Sequence, residues 1–347
     1  MKNQQQITEA CKLLNEDGTL TQQGYATRPL WQYDRKGIKA SWHRIKEWDY
    51  YAVLSQESGY GITFTVSDLS YIGVIAVCWL DFKNRTSTQY DTMTLLPRGR
   101  TDLPSTPQEG ITSFKDNKFN FKFDVGNGKR VLTFDVPGFV GADGEKGLKG
   151  EILLQQDPEM DNMVIATSWE ENRKAFYYNQ KTNCMPAEGS VKMGKKIYPF
   201  SPETSLGVLD WGRGNWTYKN RWYWGSASGW LEGNSIGWNL GYGFSDRSVA
   251  SENMLFFKGK AHKLDKVTFQ FNSKNYMEPW QFTSNDKRFE MTMKPLIDRD
   301  SMVNLGLIKS VQHQIFGNFT GDVVLDDGTS LHVDNMLGFA EDVLNWW

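Results

Sequence analysis

Between Leu209 and Gly229 the chain reads LDWGRGNWTYKNRWYWGSASG, which sets one carboxylate, Asp210, among two arginines and a concentration of tryptophan. Trp211, Trp216, Trp222 and Trp224 fall inside this stretch and Trp230 follows it, out of 14 tryptophans in 347 residues. A carboxylate flanked by Leu209 and Trp211 in a strand interior has two fates. Buried among indoles without a cation, it is desolvated, its pKa rises, and it can donate a proton. Clamped by Arg213 or Arg221, it becomes half of a structural ion pair. The spacing alone leaves both open.

The neighbouring residues supply the walls of a binding site. In RWYWGSAS, Trp222, Trp224, Ser226 and Ser228 alternate with Arg221, Tyr223, Gly225 and Ala227, a period of two. After a turn expected at Glu232–Asn234, IGWNLGYGF places Ile236, Trp238, Leu240, Tyr242 and Phe244 on one face. Gly237, Asn239, Gly241 and Gly243 take the other. A glycine row leaves room for a ligand or for close packing of another layer, and packing is the commoner outcome. A second polar cluster, SDRSVASENMLFF, brings Asp246, Arg247, Glu252 and Asn253 before an apolar strand, as a turn and strand entry would. The substrate-binding set expected around Asp210 is therefore Trp211, Arg213, Trp216, Arg221, Trp222 and Trp224, with Ser226, Trp238, Asn239, Tyr242, Glu252 and Asn253.

Other chemistries have less behind them. Glycoside cleavage needs two carboxylates, and no local spacing selects a partner for Asp210 among Glu232, Glu252, Glu278 and Glu341. His43, His262, His313 and His332 lie far apart, so neither a metal nor another cofactor is expected. Nucleophile-elbow, P-loop and dinucleotide motifs are absent from the sequence.

The composition (Phe 20, Tyr 14, Gly 32) favours strands and tight turns. A net charge of -2 gives no global field to recruit nucleic acid or an anionic membrane. Cys11, Cys78 and Cys184 make no paired spacing, which fits a reducing compartment. The opening MKNQQQITEACKLL lacks a secretory apolar core, and the longest apolar run, Tyr71 to Leu80, is half of the roughly 20 residues a spanning helix needs. A soluble, cytoplasmic protein without a transmembrane segment is expected, its partner a small apolar or amphipathic ligand.

Strand grammar begins at Trp42, with Ile62, Phe64 and Val66 alternating against Thr63, Thr65 and Ser67. The proline-bearing stretch from Leu96 to Gly110 reads as a long exposed connection. Next, KFNFKFDVGNGKRVLTFDV is a hairpin around Gly126-Asn127-Gly128. The grammar then recurs: KVTFQFNSK answers KFNFKFDVG, KRFEMTMKP answers KRVLTFDVP, and TGDVVLDDG answers KGEILLQQD. With strands every few residues and no long amphipathic helix, we expect an all-β chain of two tandem antiparallel barrels, or strongly curved sandwiches, with few short helices. An N-terminal arm would cover residues 1–40, the first β domain 41–190 and the second 191–347, the interruption lying in AEGSVKMGK.

The order LNEDGTLTQQGYATRPL, IKEWDYY, NCMPAEG, LDWGRGNW, W-x-W-x-S-A-S-G, GYGFSD, SENMLFFKGK and GFAEDVLNWW resembles domain-of-unknown-function family 2804 from about Leu13 to Trp347. More distantly the chain is similar to the carotenoid 1,2-hydratase, AttH-like and tocopherol-cyclase group. That resemblance implies two lipocalin-like barrels and an acidic Asp from an Asp-His pair. Here LGVLDWGRG keeps the aspartate as Asp210 and has Trp211 in place of the histidine. Three functions follow as expectations: a binder of an apolar or amphipathic small molecule; an acid-catalysed hydratase, cyclase or isomerase of an isoprenoid-like substrate with Asp210 as donor; or a carbohydrate-binding or glycoside-cleaving protein.

Overall fold

A computed structural model describes residues 4–304, 306 and 308–346. Among them the alternating pattern produces 24 strands and two 3-10 turns, Arg35–Gly37 and Trp42–Arg44. Three short strands open the chain: β1 (Cys11–Lys12), β2 (Gly24–Ala26) and β3 (Trp31–Gln32). A meander follows, β4 (Ile45–Ser55), β5 (Tyr60–Asp68), β6 (Ile72–Asp81), β7 (Thr86–Leu95), β8 (Gly110–Lys115), β9 (Asn120–Gly126), β10 (Lys129–Val140) and β11 (Lys146–Gln155). Then come β12 (Met163–Ser168), the long β13 (Phe176–Met193), β14 (Lys196–Phe200) and β15 (Ser205–Asn215). The second meander is β16 (Lys219–Leu231), β17 (Asn234–Tyr242), β18 (Met254–Phe257), β19 (Lys260–Lys263), β20 (Val267–Gln270), β21 (Trp280–Ser284), β22 (Phe289–Asn304), β23 (Lys309–Val324) and β24 (Ser330–Trp346).

Two curled antiparallel sheets result. The second runs β19-β18-β17-β16-β24-β23-β22-β21-β20, so its first strand pairs with its last. The first runs β7-β6-β5-β4-β15-β13-β11-β10-β9-β8. Here β15 lies between β4 and β13, the strands that correspond to the joined ends of the second meander. The inserted strand carries Asp210.

The hairpin of β9 and β10 turns at Asn127 and Gly128, both at positive φ, and that of β16 and β17 at Glu232 and Gly233, likewise. Of the repeat correspondences, β10 with β22 and β11 with β23 keep their sheet neighbours. The third is displaced by one strand, because β21 separates β20 from β22. The segment Glu188–Lys196, read as an interruption, is instead the end of β13 and its tight turn into β14, where Gly194 has φ 58°. Its small residues serve close strand pairing: a Cβ on Gly189 would lie 2.1 Å from the Glu151 carbonyl oxygen. The chain passes between sheets at residues 216–218.

Each sheet wraps its own apolar core, and the two also share one. Tyr51 and Val53 of β4 point into the first core, while Tyr50 and Ala52 meet Trp224, Phe316 and Phe339 of the second sheet. Likewise Ile75, Val77 and Trp79 of β6 face inward, and Cys78 and Leu80 face the second sheet. Burial on both faces accounts for the long apolar run from Tyr71. A bulge in β13 fastens the sheets: the Asn183 amide donates to Ser226 Oγ (2.8 Å) and to the Trp238 carbonyl (3.0 Å), and the Cys184 amide donates to Ser228 Oγ (2.9 Å). Gly237 lies under this bulge, where a Cβ would approach Cys184 Sγ to 2.6 Å, so this glycine serves close packing.

Candidate functional site between the two sheets

Strand register brings two polar rows face to face. Lys181, Asp210, Tyr50 and Thr65 are successive cross-strand partners on β13, β15, β4 and β5. Opposite them, Arg299, Gln314, Glu341 and Trp224 are partners on β22, β23, β24 and β16. Between the sheets lies a cavity of about 680 Å³, in the range of small-molecule sites. Its floor holds Lys181, Asp210, Glu252 and Glu341; aromatic walls come from Trp48, Tyr177, Trp216, Trp222 and Phe244. Farther out, Leu69, Ile72, Val74, Met93 and Leu95 make one side apolar.

The alternation in LDWGRGN now has a structural meaning. Leu209, Trp211 and Arg213 face the first core, and Asp210, Gly212 and Gly214 face the cavity side. A Cβ on Gly212 would fall 1.9 Å from the Trp48 ring, so the bare backbone lets that indole lie across the strand. Trp48 then stacks on Tyr177, with centroids 6.2 Å apart and 12° between planes, and Trp216 meets its edge.

Neither expected arginine clamps Asp210. Arg213 is fully buried on the other face, paired with Asp49 at 3.0 Å and stacked at 4.2 Å over Trp211. Arg221 forms a two-pronged bond with Asp342. The cation is Lys181, whose Nζ lies 2.6 Å from Asp210 Oδ2 and 3.7 Å from the Trp224 centroid. Asn179 donates to the other Asp210 oxygen at 2.7 Å. Asp210 thus lines the cavity and is ion-paired at once, a combination that the two sequence alternatives treated as exclusive.

Glu341 stands in a different electrostatic setting. Burial pushes its carboxyl up to about 7; Lys181 pulls the other way, Asp210 raises it further, and Arg299 and an indole hydrogen bond from Trp222 lower it. The Gln314 side-chain amide donates to Glu341 Oε1 at 2.7 Å and to the Tyr50 hydroxyl at 3.0 Å, while its carbonyl accepts from Arg299 at 2.7 Å. With Oε1 occupied as an acceptor, a proton on Glu341 belongs on Oε2. Tyr50 and Tyr177 are both pushed upward by burial, Tyr177 also by Glu252 and Asp210, and so keep their phenolic protons.

Of the residues expected at the site, Asp210, Trp216, Trp222, Trp224 and Glu252 line the cavity. The others are brought elsewhere. Trp211 packs between Tyr33 and Tyr178 in the first core, and Trp238 against Phe289 and Phe319 in the second. Tyr242 stacks on Tyr223, and Ser226 accepts from Asn183. Asn239 supports the site from behind, accepting from the Trp224 indole at 2.7 Å and donating to the Glu252 carbonyl at 2.9 Å. Asn253 accepts from the Gly241 amide, and Glu252 pairs with Arg247. Lys181, Gln314, Arg299, Tyr50 and Tyr177 were not anticipated. The signal for Lys181 was present in FYYNQKTNC, a polar run inside an aromatic strand and buried throughout.

Two curled, lipocalin-like antiparallel sheets in tandem, with an aromatic cavity between them, define the class of the molecule. Residues 4–347 match the family described as domain of unknown function DUF2804, and the chain belongs to that family. Solved structures share the architecture. A putative AttH from Nitrosomonas europaea is 12% identical, with a TM-score of 0.53 over 86% of this chain and 92% of that one. CghA, solved with Sch210972, is 11% identical, with a TM-score of 0.53 over 87% and 88%. Kievitone hydratase from Nectria haematococca is 13% identical, with a TM-score of 0.50 over 87% and 88%. At these identities the likeness concerns the fold. No curated protein matches the sequence. Among the described residues no helix is long and apolar enough to cross a membrane.

Proposed function

We propose that the protein binds an apolar or amphipathic small molecule between its sheets and performs acid–base chemistry on it, of the hydratase, cyclase or isomerase kind. The observation that carries this is the pairing in one cavity of two carboxyl groups in unlike settings, Glu341 pushed up to about 7 by burial and Asp210 ion-paired with Lys181. That asymmetry supports Glu341 as the proton donor, the role expected for Asp210 from sequence. In an alkene hydration, Glu341 Oε2–H would protonate one carbon and leave a cation faced by the Trp222 and Trp48 indoles. Water would add to that cation and lose its proton to Asp210, and solvent would return the proton to Glu341. The apolar side of the cavity favours an isoprenoid-like substrate over a sugar, and a hydratase among the proteins of like fold supports the same direction.

The test is incorporation of heavy oxygen from labelled water into a panel of terpenoid alkenes and enones, followed by mass spectrometry. Glu341→Gln should lose about 10²- to 10⁴-fold in rate while binding is retained. Saturable quenching of tryptophan fluorescence by the panel without any exchange would instead establish the second reading, a carrier. That reading is favoured by the cavity volume alone.

A further inference from the structure

The cavity reaches the surface between β7 and β22, and the surroundings of that opening have a composition of their own. Along β7, Gln89, Asp91, Met93 and Leu95 line the wall in turn and end at Leu95, 80% exposed. Along β22, Arg299, Ser301 and Val303 do the same on the other side. Leu96 and Trp42 continue the apolar edge, 43% and 41% exposed without lining the cavity.

Around this edge each aromatic ring carries a cation. The Arg98 guanidinium lies 4.1 Å over Trp42, Arg44 lies 5.7 Å over Tyr218, and Trp346 is approached by Lys219 at 4.6 Å and Lys309 at 5.1 Å. All of these units belong to the rim. Arg98 donates its backbone amide to Ser70, between the lining residues Leu69 and Tyr71. The Arg44 carbonyl accepts from the amide of Trp216, a lining residue, and Lys309 and Trp346 adjoin the lining residues Ser310 and Asn345. Of the carboxylates on the flanking strands, Asp91 lines the wall four residues before Leu95 and Asp300 lies three before Val303, about 13 and 10 Å at strand rise. A chain with net charge -2 therefore presents Arg98, Lys219 and Lys309 with the Trp42 and Trp346 rings around one apolar opening.

We propose that this rim seats the protein on an anionic lipid surface, with the cavity mouth against the headgroups. Exposed leucine and indole enter the interfacial layer, aromatic rings hold its depth, and lysine and arginine reach phosphate; this is the chemistry of interfacial binding without a spanning segment. The inference concerns the rim and stands whatever reaction the cavity performs.

Flotation of the full chain with vesicles tests it, using phosphatidylcholine alone against phosphatidylcholine and phosphatidylglycerol in equal parts. Binding to the anionic vesicles only, weakened by high salt, is expected. Lys219→Gln with Lys309→Gln should lower the partition coefficient about 30-fold, each cation near the surface contributing about fivefold. Trp42→Ser with Leu96→Ser should lower it at least about tenfold. Lys129→Gln with Lys149→Gln, both exposed on the first sheet away from the rim, should leave it unchanged. Near-ultraviolet circular dichroism checks that each variant is folded, and Arg98→Gln serves as a replacement if either rim pair is not. Equal flotation with both vesicle types, none with either, or equal loss in rim and control variants overturns the proposal.

Discussion

Replacing Glu341 by glutamine should make the protein more stable at alkaline pH than at acid pH, relative to the parent. The folded chain holds the Glu341 proton up to about 7, against 4.5 for the free side chain. Stability from this group is fully present below the unfolded value and is lost as pH rises through about 7. At about 1.4 kcal/mol per pH unit the whole effect is about 3 kcal/mol, most of which falls between about pH 5 and about pH 8.5. Glutamine has nearly the same shape, can still accept from Gln314, and has no proton to lose. The stability of Glu341→Gln minus that of the parent should therefore climb by about 2 to 3 kcal/mol across that range, measured by urea unfolding followed through tryptophan fluorescence. A difference constant to within about 0.5 kcal/mol would refute the claim that burial, and not the Lys181 and Arg299 cations, governs Glu341.

Asp210→Asn strands the Lys181 ammonium, 4% exposed, and should cost about 3 kcal/mol; adding Lys181→Met should recover most of it in a double-mutant cycle by urea denaturation. Gly212→Ala drives a methyl into the Trp48 ring and should destabilise by about 2 kcal/mol, with altered near-ultraviolet circular dichroism and partial rescue by Trp48→Ala. Asn183→Ala removes the donor that joins β13 to both Ser226 and Trp238, and should cost about 2 kcal/mol and broaden the urea transition as the sheets begin to unfold separately.

The fold was legible because its causes are local: alternation wrote the strands, and Asn127-Gly128 and Glu232-Gly233 wrote their turns. Pairing order was partly legible, through the β10–β22 and β11–β23 correspondence. What no local rule reveals is that β15, late in the first sheet, pairs with β4 about 160 residues earlier, and so puts Tyr50 beside Asp210. The site suffers most from this, since each member of its two rows comes from a different strand. Asp210 stood out because its flanks are apolar. Lys181, the partner opposite it on β13, was overlooked because nearer arginines offered themselves; alternation sends Arg213 to the opposite face from Asp210. Glu341 was visible only as one of four candidate carboxylates. Its burial depends on the first sheet, with Tyr50, Lys181 and Asp210, lying across from β24.

The place of β15 also governs the order in which the molecule can be completed during synthesis. Every strand of the first sheet emerges before it, yet until residues 205–215 arrive the two halves of that sheet end at β4 and β13 with unpaired backbone groups. A nascent chain stopped near residue 200 would thus be a sheet split down its middle, an invitation to pairing with another copy. The strand that seals the gap also delivers Asp210 to the cavity side, and β16 begins four residues after it ends. Completion of the first sheet, placement of the carboxylate and the start of the second sheet are one event in the growth of the chain.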